Sequence, residues 1–283
     1  MCSTNRRLLD ATNLTDVAQI DKLERLVFSI AKESPYEYIH INIITYEKEV
    51  SAFKEAVESG LTGSKTITYD FISLDNIQKR FRRQIQLFQN YTTKKTENKY
   101  KDISLHIRPL YSRIFAYNQI AVLDIDMEFR CSFENLYKQF EKFNSHQILA
   151  MAYDQSPWYR YAFKNYRKQN NGTLIGEPYP GYQGFNTGVI LFNLEKARQS
   201  KEYNYHLTYS GYKYLFEKYN MSALLGDQDF FTLLGAEYPD LFYILDCSYN
   251  RQTGPLHFFF VKHERYYLCE KEIRILHKNS QKL

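Results

Sequence analysis

Cysteine, proline and glycine are all sparse in this 283-residue chain, at 4, 7 and 11 residues. So few prolines and glycines, with no biased linker, exclude collagen-like and low-complexity classes. The four cysteines, Cys2, Cys131, Cys247 and Cys269, show no C-x-x-C spacing, which argues against a zinc ribbon. No run of about 18 apolar residues occurs, so no stretch has the length of a membrane-spanning helix. The opening MCSTNRRLLD lacks the apolar segment of a signal peptide. Charge of one sign is also scarce. Lys and Arg total 37 against 32 Asp and Glu, a net +5. The cluster KRFRR (79–83) reads as a solvated face, so nucleic acid is not an expected partner.

What the chain does have is apolar and aromatic content, 44% and 17%, enough for one α/β domain over 1–283 with a sizeable core. Val17, Ile20, Leu23, Val27 and Ile30 recur at helical spacing after a capping Thr15 or Asp16. Strand-like YIHINIITY (38–46) follows, then a helix expected to end at Gly60, β-rich KTITYDFI (65–72) and a helix opened by Asp75. A further helix is expected over about 103–117. The runs IAVLDID (120–126), QILAMAY (147–153) and TGVILFNL (187–194) have strand length and no polar alternation, as strands buried on both faces do. Alternating strands and helices predict an α/β fold with a mostly parallel central sheet flanked by helices.

Four patches carry candidate chemistry. Asp124 and Asp126 follow a buried strand directly; on an extended chain residues i and i+2 share a face, so both carboxylates would approach one divalent ion at the strand's carboxyl end. A cap or surface pair explains the same residues. GYQGFNTGVILFNL (181–194) sets Asn186 before a buried strand, as a ligand contact or as a turn cap. LLGDQDFF (224–231) places Asp227, Gln228 and Asp229 in a first helical turn, where acidic residues also serve the helix alone. RILH (274–277) ends on His277, as a ligand or a structural histidine. Trp158, in YDQSPWYRY, is either an acceptor-stacking ring or packed core. Four N-x-S/T sequons, at Asn13, Asn90, Asn171 and Asn220, hint at a secretory compartment.

In this order, LDIDMEF, GFNTGVILFNLEKARQS, LLGDQDFFTLLG, CSYNRQ and IRILH resemble the family 8 glycosyltransferases, retaining enzymes of the GT-A fold that use nucleotide sugars. Within that family the segments look most like the branch that adds α1,3-linked xylose from UDP-xylose to xylosyl-glucose on EGF-like repeats of Notch-type proteins in the endoplasmic reticulum. The resemblance implies a metal site of Asp124, Asp126 and His277, with Mn²⁺ favoured over Mg²⁺ by the imidazole. It implies donor contacts from Thr4, Asn5, Arg113, Asp124, Asp126 and Lys278, and catalytic positions at Asn186, Asp227 and Gln228. Trp158 is carried as an acceptor contact. Lys278 stands where the family usually has Gly. MCSTN resembles the tail of a first strand that feeds the uracil pocket, so the expectation is a truncated first strand and a membrane anchor outside this chain. Cys247 and Cys269 are a candidate disulfide in such a lumen.

Overall fold

The computed structural model describes residues 5–10, 17–92, 103–221, 225–253 and 269–279, with backbone alone for 5–10, Val17 and Thr92. A seven-stranded sheet runs in the order β3 (Ile67–Ser73), β2 (Ile39–Thr45), β1 (Asn5–Asp10), β4 (Gln119–Asp124), β7 (Phe185–Asn193), β6 (Leu149–Tyr153) and β8 (Phe242–Ile244). Four of its pairings are parallel; β7 runs antiparallel to both of its neighbours. The α/β expectation holds. Strand β7, and β4 between its end residues Gln119 and Asp124, are buried throughout because successive side chains enter different cores. Ile120, Val122, Ile190 and Phe192 pack on one face, and Ala121, Leu123, Val189 and Leu191 on the other.

A second sheet of three strands, β5 (Met127–Phe129), β10 (Ile275–His277) and β9 (Arg251–Gln252), lies beyond the end of β4. β10 pairs antiparallel with β5 and in parallel with β9. This small sheet brings the chain's last described segment back to the D-x-D turn. It is held by a disulfide between Cys247 and Cys269, and Arg274 donates its backbone N–H to the Ser248 carbonyl (2.9 Å). Closing a loop of this size restricts the unfolded chain, so reduction is expected to lower stability by roughly 3 kcal/mol. Denaturant titration with and without reductant measures it. Unchanged stability would contradict the bond's structural role.

Three local readings are corrected. Gly60 does not end its helix, which runs Val50–Leu61 and is capped by left-handed Thr62. A side chain at Gly60 would strike Glu24 O at 2.6 Å, so its role is close contact with the helix Val17–Glu33. The helix expected over 103–117 is broken into 3₁₀ turns at Ile103–His106 and Arg108–Leu110 and one α-turn at Tyr111–Ile114, with Pro109 inside the break. Finally, β1 begins rather than ends at Asn5 and runs to Asp10, which stands level with Asp124. At about 3.3 Å per residue, Asn5 lies at the far end of β1 from the ligand-bearing edge, and Thr4 is outside the described residues. Among the described residues no helix is long and apolar enough to cross a membrane.

Candidate active site

The site forms where β4 stops. Asp124 is its last residue, but Asp126 is not on a strand: it sits in the two-residue turn between β4 and β5. The turn, rather than strand alternation, turns both carboxylates to one place, and β10 supplies the third group. Single ligand-capable atoms of Asp124, Asp126 and His277 all lie within 4.8 Å of one another. His277 Nε2 stands 3.2 Å from Asp126 Oδ1 and 3.7 Å from Asp124 Oδ2. Burial opposes ionisation of Asp126, but the His277 ring and the nearby Lys22 ammonium outweigh it, and its pKa falls below the ordinary carboxylate value. Two hard oxygens and one imidazole nitrogen, converging at the sheet edge, suit a six-coordinate divalent ion that keeps further positions for phosphate oxygens. The donor set therefore fits the implied metal.

The arginine that reaches Asp124 is Arg108, not Arg113. Arg108 is buried in the broken 103–114 segment, and its fork is used three ways. Nη2 donates to Asp124 Oδ1, Nη1 to Thr187 Oγ1 at 3.2 Å, and Nε faces Asp227 Oδ2 at 3.4 Å. The segment is pinned from below by the Tyr203 hydroxyl, which donates to the Pro109 carbonyl (2.8 Å). Arg113 instead turns to Asn204 Oδ1 at 3.3 Å, so the expected placement of that residue beside the diphosphate is corrected. The two arginines are five residues apart, and the break at Pro109 decides which of them enters the site.

Asp227, Gln228 and Asp229 open the helix Asp227–Glu237. Gly226 precedes them with φ of 67°, and a Cβ there would meet Leu105 O at 2.4 Å. Only glycine combines that left-handed turn with so close an approach. The three residues diverge in role. Asp229 is structural: its carboxylate accepts from Leu225 N (2.7 Å) and the Tyr159 hydroxyl (3.2 Å). Asp227 faces Arg108. Gln228 is clamped at both ends, with Nε2 donating to Asp154 Oδ2 (3.2 Å) and Oε1 accepting from the N–H and hydroxyl of Thr187 (3.3 and 3.4 Å).

Thr187 and Gly188 are free to make such bonds because the β6–β7 register jumps between Met151 and Ala152, so that Met151 faces Ile190 and Ala152 faces Asn186. Three residues of β7 bulge out of the ladder on that side, and the N–H groups of Thr187 and Gly188 turn to side chains. Asn186 Oδ1 accepts from Gly188 N (3.0 Å) and from Asn250 Nδ2 (2.9 Å). Asn250 Oδ1 lies 3.0 Å from His277 Nδ1.

Sequence reasoning missed Arg108, Asp154, Thr187 and Asn250. Asp154 had a legible signal, since it follows the carboxyl end of the buried QILAMAY strand just as Asp124 ends β4. It is fully buried, and that burial raises its pKa against the lowering effect of bonds from Ser156 and Gln228. Asp154→Asn would set a second NH₂ against Gln228 Nε2, or take the acceptor from Ser156 N (2.7 Å). The expected cost is about 1–3 kcal/mol of stability and at least tenfold in turnover, about 1.4 kcal/mol in the barrier. Thermal melts and a UDP-release assay would check both; unchanged turnover would remove Asp154 from the site.

The remaining expected residues lie at the rim or away from it. Lys278 donates its N–H to the Asp126 carbonyl (2.9 Å) while its ammonium pairs with Glu128 at 2.5 Å. It borders a shallow cleft with Lys22 and Arg25 beside Asp126. Trp158 is half-buried against the larger core cluster, and its indole N–H has no acceptor among the described residues. The ring is thus largely core.

An acidic, histidine-closed constellation at the carboxyl end of an inner parallel strand, next to one antiparallel strand, belongs to the GT-A class of glycosyltransferases. No family model matches the chain. Xyloside xylosyltransferase 1 of Mus musculus is 38% identical to it over 165 residues, 57% of this chain and 42% of that protein. The Homo sapiens counterpart is 40% identical over the same shares. Xylosyl- and glucuronyltransferase LARGE1 of Homo sapiens is 33% identical over 168 residues, 58% of this chain and 20% of that one. The match thus spans about two fifths of the xyloside xylosyltransferases' length. The crystal structure of mouse xyloside xylosyltransferase 1 without ligand superimposes with a TM-score of 0.89 at 27% identity, covering 98% of both chains. The galactosyltransferase LgtC, at 16% identity and TM-score 0.59 over 96% of this chain and 86% of that one, shares the fold. The chain has the GT-A glycosyltransferase fold, and it is similar to the xyloside xylosyltransferases.

Proposed function

We propose that the protein transfers xylose from UDP-xylose, with retention and Mn²⁺ dependence, in α1,3 linkage onto xylosyl-glucose carried by EGF-like repeats. The observation that carries the reading is the convergence of Asp124, Asp126 and His277 beside the Asp227–Gln228 helix start. Similarity to xyloside xylosyltransferase supports the sugar. The Cys247–Cys269 disulfide supports an oxidising compartment, and we propose the endoplasmic reticulum lumen.

When bound, the divalent ion supplies positive charge to the donor diphosphate. Asp124, Asp126 and His277 would hold it. Arg108 spreads its charge between Asp124 and Asp227, so the buried Asp227 carboxyl group faces a counter-charge beside the place where donor-sugar hydroxyls would bind. The same pairing draws electron density from Asp227 and disfavours it as a covalent nucleophile. Gln228, neutral and clamped between Asp154 and Thr187, holds a fixed amide dipole close to Asn186, where positive charge develops on the anomeric carbon. No side chain is required as acceptor base, because the departing phosphate oxygen takes the acceptor proton on the leaving-group face.

UDP release from UDP-xylose, UDP-glucose and UDP-galactose, with Mn²⁺ or EDTA and with or without a xylosyl-glucose acceptor, tests this. Mn²⁺-dependent release from UDP-xylose, raised by the acceptor, is expected. Preference for a hexose donor would overturn the proposed sugar, and no release from any donor would overturn the activity.

A further inference from the structure

The hydrogen bonds behind His277 form a chain whose polarity is decided at one end. A backbone N–H is always a donor, so Gly188 N at 3.0 Å makes the atom it meets on Asn186 an oxygen. That oxygen also faces Asn250 at 2.9 Å, so the Asn250 atom there is the NH₂ group. The other end of the Asn250 amide is then its carbonyl oxygen, and it stands 3.0 Å from His277 Nδ1. An oxygen with no hydrogen requires a proton on Nδ1. Each amide orientation, normally ambiguous, is fixed by the link before it.

Asn250 is itself completely buried, as are Asn186 and the His277 ring apart from a few per cent of their surface. No water-facing alternative relaxes the chain. Asn250 is held from its backbone as well, its carbonyl accepting from Gln155 Nε2 at 3.1 Å. It lies in the 3₁₀ turn Cys247–Asn250, which the disulfide anchors.

We infer that Asn250 is a positioning residue that holds a proton on His277 Nδ1 and so makes Nε2 the nitrogen turned to the space shared with Asp124 and Asp126. This rests on the metal reading above and adds to it a residue that touches neither metal nor substrate. Such outer partners set ring orientation and ligand basicity, and their loss weakens metal affinity by about 10–100-fold.

The test is Mn²⁺ affinity, read from the electron paramagnetic resonance of free Mn²⁺, for wild type, Asn250→Leu, His277→Ala and the double variant. Asn250→Leu keeps the side-chain volume. It is expected to weaken binding by about 10–100-fold in wild type and to have no further effect once His277 is gone, since it acts only through that ring. Undiminished affinity in Asn250→Leu, or an equal loss in the His277→Ala background, would overturn the inference. Failure of wild type to bind Mn²⁺ at all would instead overturn the metal reading. Should Asn250→Leu not fold, ring ¹⁵N spectra of Mg²⁺-loaded wild type decide the matter. A proton on Nδ1 with Nε2 bare supports the inference, and a protonated Nε2 overturns it.

Discussion

Gly188→Ala should abolish metal binding while leaving a folded protein. A Cβ at this position would lie 2.4 Å from His277 Cε1, 2.6 Å from its Nδ1 and 2.4 Å from Met127 Cε. Met127 is flexible at its tip and can move. The imidazole cannot, because its backbone is paired in register with Met127 across β5 and β10 and its Nδ1 is tied to Asn250. The methyl group therefore tilts the ring out of the plane that serves Asp124 and Asp126. Overpacking of this kind costs about 1–3 kcal/mol in stability. The loss in Mn²⁺ affinity should exceed 100-fold, about 2.7 kcal/mol, because a ligand is displaced rather than weakened. Calorimetric Mn²⁺ titration together with a thermal melt separates the two effects. Wild-type affinity in Gly188→Ala would mean that the ring does not serve the ion from this position.

The second large effect is expected at Arg108. Its removal leaves Asp227, 2% exposed, without the guanidinium that faces it, and also strips Asp124 and Thr187 of a donor. Breaking a buried ion pair from one side costs about 3–5 kcal/mol. Arg108→Met should therefore lower the melting temperature by roughly 6–10 °C in a chain of this size. Arg108→Lys should not restore it. Three contacts leave from three different nitrogens of one planar fork, and a single ammonium cannot reproduce them. Adding Asp227→Asn to Arg108→Met removes the stranded charge, so the double variant should regain part of the stability but none of the UDP release. A melt of Arg108→Met at the wild-type temperature would contradict the assignment of this arginine as the counter-charge of the site.

Both sites show what the sequence made legible. Asp124, Asn186 and His277 stand at the ends or within buried strands, where apolar runs announce the strand and the polar residue marks its edge. The opening of a helix at Asp227 was equally visible, from Gly226 and the acidic first turn. Placement that depends on long-range burial was not visible. Arg108 and Arg113 look alike in RPLYSRIF, and only the packing of Pro109 under Tyr203 selects between them. Asn250 resembles any loop asparagine until β9 and β10 close over it. The direction of β7 and its bulge, which free the Thr187 and Gly188 N–H groups, leave no periodic trace. Asn5 was misassigned because β1, NRRLLD, carries polar residues at both ends and so does not show which end meets the site, whereas the parallel register with β4 sets Asp10 at the active edge.

Asp124, Asp126 and His277 are expected to hold a divalent ion that in turn binds the nucleotide. The most direct test is UDP affinity by calorimetry, with Mn²⁺ and with EDTA, for wild type and for Asp126→Asn, which preserves shape and removes one charged ligand. UDP should bind wild type at least 100-fold more tightly with Mn²⁺ than with EDTA, about 2.7 kcal/mol, and Asp126→Asn should lose that difference. Equal UDP affinity in all four conditions would contradict the account.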